Sequence, residues 1–107
     1  MQKAGSYVSG ISDAPLLGMT IGEALDQARQ RWSDREALVS PSHGVRLKWR
    51  EFADQVDALA AGFLALGLER GDRIGIWSLN RPEWTLTQFA AAKAGLILVT
   101  INPAYRL

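Results

Sequence analysis

Apolar residues follow two different periods along this chain, and the switches between them mark its elements. Ile21, Ala24, Leu25, Ala28 and Trp32 recur at the i, i+3, i+4, i+7, i+11 spacing of one helix face. Asp26, Gln27, Arg29 and Gln30 hold the opposite face. Thr20 and Glu23 stand ahead of them in the S/T-x-x-E spacing of a capping box, in which each side chain accepts a free backbone N–H of the other. The pattern predicts an amphipathic helix starting behind Thr20 and ending at Ser33–Glu36. Ala37-Leu38-Val39 and Val45-Arg46-Leu47 then flank Pro41-Ser42-His43-Gly44, which has turn composition, so a short hairpin is expected near 37–48.

Helical spacing returns in Phe52, Val56, Leu59, Phe63 and Leu66, giving a helix over about 50–66, with Gly67 placed to stop it in the left-handed conformation. Glu69–Asp72 is a turn, and Arg73-Ile74-Gly75-Ile76-Trp77 a strand. A third helix begins at Asn80 or Arg81 and runs over about 82–94. Pro82 and Glu83 lie in its first turn, where a missing N–H costs nothing and a carboxylate favours the dipole. Gly95 closes it. Leu96–Ile101 is apolar without alternation, the pattern of a strand covered on both faces in a parallel sheet. Strand, helix and strand form a βαβ unit. The fold class expected is α/β: a partial open parallel-type sheet with flanking helices. Residues 1–19 form an irregular arm whose Pro15-Leu16-Leu17 is expected to pack on a neighbouring surface.

At 107 residues there is room for one small domain. Twelve Lys and Arg against 11 Asp and Glu give a net charge of +1, which supplies no electrostatic reason to expect a nucleic acid or an anionic membrane as partner. No run of about 18 apolar residues spans a bilayer. The chain has no cysteine, which removes disulfides, thiolate nucleophiles and Cys-based zinc sites and fits a reducing compartment. A cytoplasmic location is the expectation.

Searches for chemistry mostly fail. The chain has no G-x-G-x-x-G, no Walker loop and no G-x-S-x-G. His43, the single histidine, lies in a turn without an orienting carboxylate and reads as solvated. Asp54 and Asp57, one turn apart, read as a solvated helix face. The loop Ser78-Leu79-Asn80 is better placed for a ligand, because open parallel sheets bind ligands beyond the carboxyl ends of their strands. The favoured reading of Asn80 itself is the N-cap of the third helix, since Asn is among the best N-caps and needs no ligand to explain it. Asn102–Tyr105 occupies the matching place after the last strand, and Tyr105 is the other candidate for a pocket edge.

Taken in order, Asp34–Val39, Gly67–Ile76, Asn80, Ala94-Gly95 and Asn102-Pro103-Ala104-Tyr105-Arg106 resemble the start of the adenylate-forming enzymes. That superfamily holds acyl-CoA synthetases, peptide-synthetase adenylation domains and firefly-type luciferases. With Tyr7–Gly10 and Pro15–Leu17, residues 7–107 look most like a medium-chain fatty acyl-CoA synthetase. The resemblance implies that 20–107 is the N-terminal part of an AMP-dependent synthetase/ligase domain. It implies a parent that uses ATP and magnesium to turn a fatty acid into an acyl-adenylate and passes the acyl group to CoA. The family's phosphate-binding loop, its Gly-x-Thr-Glu stretch and its C-terminal lysine have no counterpart in 1–107. No catalytic, ATP-binding, CoA-binding or metal residue is therefore carried over, and the isolated chain is expected to be inactive. Asn80 and Tyr105 remain as possible edges of a substrate pocket. A stand-alone α/β binding module, or an amino-acid-adenylating branch of the same superfamily, are the alternatives. One departure is local: Lys48 stands where the family usually has Thr or Ser to cap the second helix, a loss of about 1 kcal/mol.

Overall fold

The computed structural model describes residues 5–106. Met1–Ala4 of the expected arm, and Leu107, lie outside the described residues. Residues 5–19 form no helix or strand. Leu16 and Leu17 are exposed. The extended arm leaves a Cα radius of gyration of 17.1 Å, where about 13 Å is usual for a compact chain of some 100 residues.

Helix α1 spans Ile21–Trp32. Its capping box forms: the Thr20 N–H donates to Glu23 Oε2 at 2.8 Å, and the Glu23 N–H to Thr20 Oγ1 at 3.2 Å. Strands β1 (Glu36–Ser40) and β2 (Val45–Lys48) pair antiparallel as the expected hairpin. Helix α2 covers Trp49–Ala65. Lys48 at its N-cap has no side-chain acceptor, yet two of its first-turn amides find partners elsewhere. Trp49 N–H donates to the Arg35 carbonyl at 2.9 Å and Arg50 N–H to the Ser33 carbonyl at 3.2 Å, while Glu51 Oε2 accepts from the Lys48 N–H at 2.8 Å. Tertiary carbonyls thus make up much of what a Thr would supply.

Strand β3 (Arg73–Trp77), helix α3 (Pro82–Ala94) and strand β4 (Ile97–Ile101) form the βαβ unit. The two strands pair parallel with Arg73 opposite Ile97 and Trp77 opposite Ile101. Gly95, at φ 74°, ends α3 in a Schellman motif, with Leu96 N–H reaching the Ala91 carbonyl at 2.8 Å.

The core lies among the helices and the hairpin rather than on the parallel sheet. Leu25, Phe52, Ala53, Val56, Ala60 and Ala90 are buried, with Leu38, Leu47 and Leu86 against them. Phe52 meets Phe89 edge-on at 5.4 Å and Trp49 at 6.2 Å, and Trp49 continues to Trp32 at 6.4 Å. Strand β4 departs from expectation. Its sequence reads as covered on both faces, but Ile97, Val99 and Ile101 are exposed, as is Trp77 on β3. Side chains alternate along a strand, so α3 covers one face and these residues share the other.

Candidate functional site

The parallel pairing brings the carboxyl ends of β3 and β4 to the same edge, and the loops that leave them enclose a cleft of about 570 Å³. Ser78, Asn80 and Trp84 line it from the β3–α3 side, and Thr100, Asn102 and Tyr105 from the β4 side. Both candidates singled out in the sequence, Asn80 and Tyr105, therefore border one cavity.

The structure overturns the favoured reading of Asn80 as the N-cap of α3. The residue that precedes α3 in extended conformation is Arg81, at φ −145° and ψ 157°, and no side chain caps the helix. Pro82 at the first position has no N–H to cap, and the Arg81 guanidinium instead reaches Glu83 Oε2 at 3.2 Å. The Asn80 carboxamide makes no hydrogen bond among the described residues and is exposed at the cleft. On the other wall, Asn102 Oδ1 accepts the Ala104 N–H at 2.9 Å, and its carbonyl accepts the Tyr105 N–H at 3.1 Å. This side-chain-closed turn sets where Tyr105 leaves the strand.

Electrostatically the cleft is neutral. Its lining holds hydroxyls, carboxamides and two aromatic rings, and no charged side chain. Nearby, Glu83 is held below the usual carboxylate range by its own backbone N–H at the helix N-terminus and by the Arg81 guanidinium. Such a lining suits an uncharged, amphipathic portion of a ligand. It offers nothing to neutralise a phosphate or a carboxylate. Trp84 and Thr100 were not singled out in the sequence. Trp84 lies one helical turn beyond Asn80, and Thr100 one residue before the end of β4, so both positions followed from the element boundaries.

Elsewhere His43 is an exposed turn residue whose Nδ1 lies 2.8 Å from Ser40 Oγ. Asp54 and Asp57 keep exposed carboxylates, as expected of a solvated helix face, and these also pair with Arg29 and Lys93 between helices. Among the described residues no group of three or more His, Asp or Glu is placed to hold a metal ion, and no helix is long and apolar enough to cross a membrane.

A family model described as "AMP-binding enzyme" matches residues 25–107, more than half of the chain. The chain belongs to the AMP-binding enzyme family. Among curated relatives, the zebrafish (Danio rerio) protein named "Medium-chain acyl-CoA ligase ACSF2, mitochondrial" is 51% identical over 102 residues, which is 95% of this chain and 17% of that protein. Among solved structures, a Mycobacterium tuberculosis fatty acyl CoA synthetase superposes with a TM-score of 0.77 at 30% identity, over 80% of this chain and 17% of that one. The N-terminal subdomain of Klebsiella oxytoca NpsA, solved in complex with anthranilyl-AMSN, gives a TM-score of 0.75 at 30% identity, over 80% of this chain and 22% of that one. The chain thus spans about a sixth of the length of the curated relatives it matches. The resemblance to adenylate-forming enzymes, and the α/β fold it implied, are borne out.

Proposed function

We propose that this AMP-binding family chain is the N-terminal piece of an ATP-dependent fatty acid–CoA ligase. The parent joins a carboxylate to ATP, giving acyl-AMP and pyrophosphate, and then transfers the acyl group to the CoA thiol. A carboxylate oxygen is a poor leaving group until it carries AMP, and the charge that develops on the α-phosphate must be met by cations and donors. The observation that carries this reading is 51% identity to a medium-chain acyl-CoA ligase across 95% of the chain.

In this reading residues 20–107 contribute scaffold and one edge of a substrate cavity, and residues 1–19 an arm ahead of it. Asn80 and Tyr105 border the uncharged portion of a substrate, the fatty acyl chain or the amide-bearing arm of CoA, which the neutral lining suits better than a triphosphate. The triphosphate and magnesium call for cations and clustered carboxylates, which other parts of the protein must supply. For compartment the proposed reading is the cytoplasm. The name of the zebrafish relative gives mitochondria for that protein, and fractionation of the tagged full-length protein separates the two.

The test is ATP–pyrophosphate exchange by the full-length protein with straight-chain fatty acids, followed by thioester formation with CoA. Both should be positive, and residues 1–107 alone should catalyse neither. Exchange with amino or aryl acids and none with fatty acids would favour an amino-acid-adenylating branch, the reading to which the NpsA likeness lends weight. A full-length protein with no exchange on any acid would leave the binding-module reading.

A further inference from the structure

We draw no further inference here: the strongest candidate, the open apolar face of the β3–β4 sheet carrying Trp77, Ile97, Val99 and Ile101, is unpartnered and nothing in the structure shows what covers it.

Discussion

Lys93 Nζ lies 2.5 Å from Asp57 Oδ1, so an ammonium in the last turn of α3 is clamped to α2. The same nitrogen reaches Asp26 of α1 at 2.8 Å. Arg29 closes the arrangement from α1, at 2.5 Å from Asp54 and 3.4 Å from Asp57. Two cations and three carboxylates thus bridge three helices whose apolar contact joins Leu25, Phe52 and Val56 with the small Ala53 and Ala90. The Lys93 side chain is 19% exposed. Burial alone would lower its pKa, but the hydrogen bonds it donates to Asp26 and Asp57 outweigh that and raise it above 10.5.

The clamp predicts an alkaline limit on stability. A raised pKa means that the folded state holds the proton more tightly than the unfolded one. The stabilisation is therefore complete below about pH 10.5 and is lost as pH rises through the folded value. Lys93→Met keeps the apolar stem, removes the ammonium and leaves Asp26 and Asp57 without their shared cation. In the full-length protein it should cost about 1–2 kcal/mol in denaturant unfolding at pH 7. It should also flatten the loss of stability above pH 10.5. Identical unfolding curves for variant and parent would remove the clamp.

The start of α2 predicts a small gain. With Lys48 as N-cap, Glu51 supplies only its half of a capping box. Lys48→Thr introduces the hydroxyl that accepts the Glu51 N–H, and should stabilise the protein by about 0.5–1 kcal/mol. Glu51→Ala in the original background removes the existing half and should destabilise it. Thermal unfolding of both variants measures the pair, and a Thr variant no more stable than the parent would mean that the carbonyls of Ser33 and Arg35 already do the whole work of a cap.

Local signals carried most of the fold. The Thr20–Glu23 box, the positive-φ glycines at 67 and 95 and the Pro82 start are short-range devices, and each set an element boundary within a residue or two. What depended on distant partners was not legible. Asp54 and Asp57 have the spacing of a solvated face, because their cations arrive from α1 and α3. The apolar run of β4 reads as a strand covered on both sides, but only one side is covered among the described residues. Asn80 reads from the sequence as the cap, because Asn is among the best N-caps, and that reading is the one the structure overturns. Backbone angles decide in favour of Arg81 as the cap.

Gly75 occupies the centre of β3 opposite Val99, with the Ile101 side chain folded over it. A Cβ built at Gly75 would meet Ile101 Cδ1 at 3.0 Å. The conflict is with the end of a flexible side chain, so a small addition can be absorbed and a branched one cannot. Gly75→Ala should cost no more than about 1 kcal/mol, since alanine also reduces the freedom of the unfolded chain. Gly75→Val should cost about 1–3 kcal/mol through overpacking. Ile101→Val, which removes the offending methyl, should recover part of the Gly75→Val loss. Additive effects in that double-mutant cycle would show that the two residues do not meet.

Asn80 and Tyr105 give the site its own test, because neither is buried and neither caps a helix. Changing them should alter binding with little change in folding. In the full-length protein, if it is the proposed ligase, Asn80→Ala removes about one neutral hydrogen bond, near 1 kcal/mol, equivalent to roughly a fivefold rise in KM. Tyr105→Ala removes the aromatic wall and should act at least as strongly, whereas Tyr105→Phe keeps the ring and should lie closer to the parent. The rise is expected in KM for the fatty acid or for CoA, and the comparison of the two identifies which of them borders the cleft. The KM for ATP should stay unchanged, since the lining holds no cation for its phosphates. Unchanged KM values for fatty acid and CoA, or a change confined to ATP, would exclude both residues from the substrate edge.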